Sequence, residues 1–100
     1  MLSAIFLAAT TVLACGDAVP MVAKNYRPRP ILTTEQAIIA AREQDEEFSV
    51  RRFPVTVWQR SFKAKRIGAE WVLDGKLNQT QNQIHLDAAT GRMTCLWVID

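Results

Sequence analysis

The chain has 100 residues, 49% of them hydrophobic, and its 12 basic and 10 acidic side chains leave a formal net charge of +2 at pH 7. That length supports one hydrophobic core and excludes a second domain. So small a charge excess argues against nucleic acid as a partner, which calls for a strongly basic surface.

The first fifteen residues, MLSAIFLAATTVLAC, carry no charge, and twelve of them are apolar. A secretory signal needs an apolar segment of roughly 7–15 residues followed by small residues at the cleavage point. Leu2 to Leu13 supply the segment and Ala14 the small residue. A membrane-spanning helix needs ~20 apolar residues, and this run stops at Cys15, Gly16 and Asp17. Residues 1–14 therefore read as a signal peptide, and the expected location is the periplasm or cell envelope. The four residues VLAC (Val12 to Cys15) also resemble a bacterial lipobox, in which an aliphatic residue and then a small one precede a cysteine. The resemblance implies that Cys15 is lipidated, becomes the mature N-terminus and anchors the protein to the membrane. Lipidation at Cys15 would leave Cys95 an unpaired thiol. Cleavage that keeps an unmodified Cys15 would let an oxidising compartment pair the two. Cys95 stands in the apolar run MTCLWVI, where a small buried free thiol is the expectation.

Residues 15–31 read as a tether. Pro28 and Pro30 bias NYRPRP to an extended backbone and forbid a helix, and Arg27 and Arg29 keep it solvated. The binding domain is expected over 32–100. It opens on a helix at TTEQAIIAAREQDEEF, where Thr33 caps and Gln36 completes a capping box. Glu35 in the first turn suits the helix dipole. Ile38, Ala41 and Phe48, with Ala37 beside them, form a narrow apolar stripe. The acidic cluster Glu43, Asp45, Glu46 and Glu47 reads as the solvated face.

The period then changes. FPVTVWQRSFKA is rich in β-branched and aromatic residues and reads as a strand, with a bulge near Gln59–Ser61 where the apolar parity switches. A turn at Ile67–Gly68 leads to EWVLDGKL, then to NQTQNQ, a polar connector. QIHLDAATGRMTCLWVI reads as a hairpin turning at Asp87 to Gly91, with Met93, Cys95, Trp97 and Ile99 on one face of the return strand. That strand is also apolar at Leu96 and Val98, which predicts a central position. Trp71 and Trp97 are expected in the core. The predicted class is α+β: one N-terminal helix packed on a three- to four-stranded antiparallel sheet, after a signal peptide and short linker.

No constellation for catalysis, metal or cofactor stands in the sequence. The single histidine, His85, is flanked by Ile84 and Leu86 and is expected on the wet face, with no second ligand at metal spacing. Ser61 has no nearby base, and four glycines make no phosphate loop. Between Glu47 and Glu70 there are no acids, yet Arg51, Arg52, Arg60, Lys63, Lys65 and Arg66 fall there. Lys63 and Lys65 would point away from Phe62 and Ala64 and form a basic edge. Such lysines guard an exposed strand, or serve with Arg60 as a docking surface for an acidic partner.

Four segments stand in order along the chain: TTEQAIIAA, RSFKA (Arg60 to Ala64), WVLDGKL (Trp71 to Leu77) and LDAATGRM (Leu86 to Met93). Together they resemble the small bacterial immunity proteins of nuclear-transport-factor-2-like fold. That resemblance implies a protein that is not an enzyme, needs no cofactor, and neutralises a cognate toxin by binding it. The helix and last hairpin are equally similar to the PepSY type of exported domain, which implies binding or inhibition of a secreted peptidase. PepSY domains do not require Trp71 together with Gly75, and the remaining alternative is an unclassified small lipoprotein.

Overall fold

The computed structural model describes residues 23–48, 53–77 and 79–99. Helix α1 (Thr34–Phe48) begins with the expected capping box. The Gln36 amide donates to Thr33 Oγ1 at 3.1 Å, and Gln36 Oε1 accepts from the amides of Leu32 and Thr33 at 2.7 and 3.2 Å. These reciprocal bonds satisfy donors that a helix N-terminus leaves without partners. Ala37, Ala40, Ala41 and Gln44 repeat at helical spacing and are fully buried, with Ile38 alongside. The small alanine side chains bring the helix close against the sheet. The side chain of Phe48, expected on this stripe, lies outside the described residues.

A second helix, α2 (Val55–Ser61), stands where the β-branched composition predicts a strand and bulge. Pro54 provides the reason. Its extended backbone, φ −59° and ψ 157°, caps a turn in which the amides of Val57 and Trp58 donate to the Pro54 carbonyl. The chain leaves α2 directly into a strand, and Trp58 stacks on Phe62 with ring centroids 4.9 Å apart. Burial of this aromatic pair outweighs the β-propensity of Val55, Thr56 and Val57.

Four strands follow: β1 (Phe62–Ile67), β2 (Glu70–Leu77), β3 (Thr80–Asp87) and β4 (Met93–Ile99). They form an antiparallel meander in the order β1-β2-β3-β4. The polar NQTQNQ is therefore not a free connector, because its last four residues open β3 and pair with β2. Among the described strands, β4 stands at the edge and not in the centre. The domain is α+β, with two helices packed on one face of a four-stranded sheet.

Alternation along β2 sends Trp71 and Leu73 to the helix face, where they meet Ala37, Ala41, Trp58, Phe62, Ile84 and Leu86 in one core. Gly75 is also on this face, paired with Phe62. A Cβ there would collide with the Ser61 carbonyl oxygen and lie 2.8 Å from Phe62 Cδ1, so the α2–β1 junction requires glycine. Strand β4 carries a bulge: His85 pairs with Cys95 but Leu86 with Met93, leaving Thr94 as the extra residue. Met93 consequently joins the core with Leu86, while Cys95 turns to the opposite face with His85. The simple alternation expected from Met93 to Ile99 fails there. Trp97, paired with Gln83 on the second face, is half-buried and outside the core cluster; Trp58 and Trp71 are the buried tryptophans.

The stretch 23–31 keeps the non-helical backbone its prolines dictate, yet it is no solvated spacer. Ala23, Tyr26 and Ile31 are buried in the core. The amides of Arg29 and Ile31 donate to the carbonyls of Thr90 and Ala88, each at 2.9 Å, and Trp71 Nε1 donates to the Ile31 carbonyl at 2.9 Å. Arg29 forms a 2.6 Å ion pair with Glu43 and lies over the Tyr26 ring. Alternation of apolar residues cannot reveal such a segment, because its anchors are irregularly spaced.

Candidate functional site

Two features on the sheet face opposite the helices bear on function. The first is the basic edge. Phe62 and Ala64 pair with Gly75 and Leu73 on the helix face, so Lys63, Lys65 and Ile67 must project from the other. Lys63 and Lys65 are exposed, and Ile67 is 52% exposed although apolar. Lys63 stands opposite Asp74 and Lys65 opposite Val72. Strand β1 is outermost in the sheet, so among the described residues it is paired on one side only. Arg60, exposed in the last turn of α2, belongs to the helix layer. The fold thus brings Lys63 and Lys65 together on one face, whereas Arg60 flanks them from the other layer. Arg51 and Arg52 lie outside the described residues.

The second feature is a polar cluster around His85. The sequence places this side chain on a wet surface; it is instead 2% exposed. Its Nδ1 lies 3.2 Å from Glu70 Oε1 and its Nε2 lies 3.1 Å from Gln83 Oε1. Gln83 Nε2 donates to Asp74 Oδ1 at 3.0 Å, and the Thr94 hydroxyl contacts Glu70 Oε2 and the His85 carbonyl oxygen at 3.4 and 3.3 Å. Both imidazole nitrogens are engaged by neighbours. The flaw in the sequence expectation was to treat the second face as open water.

Cys95 is buried, as expected, but it is disulfide-bonded rather than a free thiol. Cys15, the expected lipidation site, lies outside the described residues. Among the described residues, no group of three or more His, Cys, Asp or Glu side chains could hold a metal ion, and no helix is long and apolar enough to cross a membrane.

One buried polar residue escaped the sequence reading entirely. Gln44, set among acidic residues, is fully buried and bridges α1 to the bulged hairpin. Its Oε1 accepts from the Met93 amide at 2.7 Å, and its Nε2 donates to the carbonyls of Gly91 at 2.7 Å and Ala40 at 3.0 Å. Its spacing of three and four from Ala41 and Ala40 was the available signal. Gly91 itself adopts φ +78°, and a Cβ there would strike the Tyr26 hydroxyl. That hydroxyl donates to the Thr90 carbonyl at 3.1 Å. Burial raises the Tyr26 pKa above its ordinary value, against the opposing pull of Arg29. The motif LDAATGRM is thereby accounted for as a structural junction between the hairpin turn, α1 and the 23–31 stretch.

No protein-family model, curated protein or solved structure matches the chain.

Proposed function

We propose that the chain is an exported binding protein that neutralises a cognate toxin by occupying it, with no chemistry of its own. The observation that carries the binding surface is the exposed outer strand β1, where Lys63 and Lys65 flank the face bearing half-exposed Ile67. A toxin surface rich in carboxylates fits this edge. The lysines would steer its approach, and Ile67 with the unpaired side of β1 would supply contacts from which water is excluded. Arg60 adds positive charge from the adjoining helix. The toxin as partner comes from the resemblance in TTEQAIIAA, RSFKA, WVLDGKL and LDAATGRM to immunity proteins.

The test uses the purified product of the reading frame neighbouring this chain as the challenge, with the exported protein and its Lys63→Glu/Lys65→Glu variant. Wild-type protein is expected to protect challenged cells. The variant should associate about tenfold or more slowly, with a weaker salt dependence and a nearly unchanged melting temperature, because exposed charges act mainly on association rate. Failure of wild-type protein to protect rules out immunity to that toxin. Full protection and unchanged association by the variant remove the basic edge from the mechanism. Inhibition of a secreted peptidase in the same preparation would instead favour the PepSY-like role.

A further inference from the structure

We infer that β1 takes up its partner by strand addition. An extended acidic segment of the partner lies antiparallel along the outer side of β1, hydrogen-bonded to the backbone of Ala64 and Arg66. Its carboxylates meet Lys63 and Lys65, and an apolar side chain meets Ile67. This rests on the proposed docking at β1 and adds the register and the sequence pattern of the segment that docks.

The register of the sheet decides which backbone groups face outward. Ile67 and Glu70 pair across a two-residue loop, and Gly68 at its first position has φ +60°, as a type II′ hairpin turn requires. Such a turn is closed by a hydrogen bond between its first and fourth residues, here Ile67 and Glu70. Bonded and non-bonded pairs then alternate along an antiparallel ladder. Ile67, Lys65 and Lys63 therefore bond to β2, whereas Arg66, Ala64 and Phe62 turn their N–H and C=O groups away from it. The far end of the strand agrees, because the Phe62 amide donates to the Trp58 carbonyl in α2. Ala64 and Arg66 thus offer two donors and two acceptors to a further strand, and no described strand stands on that side.

The side chains choose the occupant. An added strand meets Lys63, Lys65 and Ile67 at non-hydrogen-bonded positions, where facing Cα atoms are only ~4.5 Å apart and side chains come closest. All three are exposed, on the face opposite the helices. A second copy of β1 does not fit. Every antiparallel register that pairs the outward groups of Ala64 sets Lys63 against Lys63, Lys63 against Lys65, or Lys65 against Lys65. Like charges directly opposite destabilise a pair, so the lysines deny the edge to another copy of the chain. The same alternation favours carboxylates at every second position of a different chain. On this face β2 carries Asp74 opposite Lys63 and Glu70 opposite Ile67. Asp74 accepts from Gln83, and Glu70 lies against His85. Both stand two strand spacings, about 10 Å, from an added strand, beyond the screening length of ~8 Å at physiological salt. Antiparallel pairing is the stronger ladder. In that sense the segment reads apolar-x-acidic-x-acidic, its apolar residue against Ile67 and its last acid against Lys63.

The probe is the synthetic peptide acetyl-Thr-Val-Thr-Glu-Thr-Glu-Thr-amide, titrated into the full-length exported protein while amide exchange is followed residue by residue by NMR. At about ten times the dissociation constant, the Ala64 and Arg66 amides should exchange about tenfold more slowly. The Lys63 and Lys65 amides, already bonded to β2, should change little. Lysine in place of both peptide glutamates should weaken binding about tenfold. Methylating the backbone nitrogens of the peptide's third and fifth residues, which face β1, should abolish binding; methylating its fourth and sixth should not. Absence of binding, binding without slower exchange at Ala64 and Arg66, or indifference to the methylation pattern would each overturn strand addition. A dimer in sedimentation, with those two amides already slow before peptide is added, would name a second copy as the occupant and overturn the acidic segment. Docking at β1 keeps its separate readout, the slower association of the Lys63→Glu/Lys65→Glu variant with the neighbouring product. Failure of the peptide beside an intact effect of that variant removes strand addition alone. No effect of the variant removes the docking edge, and this inference with it.

Discussion

Replacing Gln44 by leucine keeps the side chain's size and its preference for helix while deleting every polar atom it presents. In the wild-type protein that carboxamide serves the Met93 amide at 2.7 Å and the Gly91 carbonyl at 2.7 Å, both in buried residues. Each backbone group stranded without a partner costs about 1–3 kcal/mol. The Ala40 carbonyl loses less, because it can retain its helical bond. Two stranded groups, offset partly by burial of leucine carbons, give a net loss of about 2–4 kcal/mol. That is a large share of the roughly 5–15 kcal/mol that holds a small domain together. Melting temperature should fall by roughly 10–30 °C, using about 4–8 °C per kcal/mol for a domain of this size. Gln44→Glu separates hydrogen bonding from shape. A protonated carboxyl can accept from Met93 and donate to Gly91, whereas a carboxylate can only accept and faces the Gly91 carbonyl oxygen. Burial therefore raises the pKa of the introduced group above its unfolded value. The variant should match the wild type below pH ~4 and lose stability as pH rises towards the raised folded value. The deficit at pH 7 cannot exceed about 3.7 kcal/mol, since past that point the carboxyl takes up a proton instead of destabilising the fold further. Thermal and urea denaturation between pH 4 and pH 7 provide the measurement. Refutation would be Gln44→Leu melting within about 2 °C of the wild type, or a Gln44→Glu deficit that does not change with pH.

Gly75→Ala should cost about 1–3 kcal/mol, the usual range for overpacking, because the added methyl meets the Ser61 carbonyl and the Phe62 ring. Urea unfolding checks this, and a neutral result would mean that the α2–β1 junction yields easily. Tyr26 is the only tyrosine, and its raised pKa means that neutral Tyr26 stabilises the fold below about pH 10, with that stability lost as pH climbs through the folded value. Following phenolate absorbance beside the melting temperature, wild type should lose more stability than Tyr26→Phe above that pH; identical alkaline limbs would remove Tyr26 from the account.

Local chemistry was legible where neighbours in sequence are also neighbours in space. The capping box of Thr33 and Gln36, the turn after Ile67 and the alternation of Trp71 with Leu73 all belong to this kind. So does the placement of Lys63 and Lys65 opposite Phe62 and Ala64. Elements whose state depends on distant packing were not legible. The segment around Trp58 has the composition of a strand, but Pro54 and the stack on Phe62 turn it into a helix. The stretch around Tyr26 has the composition of a spacer, but Gly91 leaves room for its ring and Trp71 ties its backbone down.

By itself the sequence determined the α+β class, the start of α1, the strand faces as far as His85, and the exposure of the basic pair on β1. Those features follow from backbone periodicity and short-range hydrogen bonding, which act within a few residues. Only the tertiary structure decided the environments of Gln44, His85 and Cys95. A single extra residue at Thr94 reverses which β4 side chains face the helices, and the burial of a polar group depends on partners tens of residues away. Gln44 reaches Gly91 and Met93, and His85 meets Glu70 on the neighbouring strand. Such contacts exist only once the chain has closed on itself, so helical spacing can put Gln44 on the buried face of α1 but cannot name its partners.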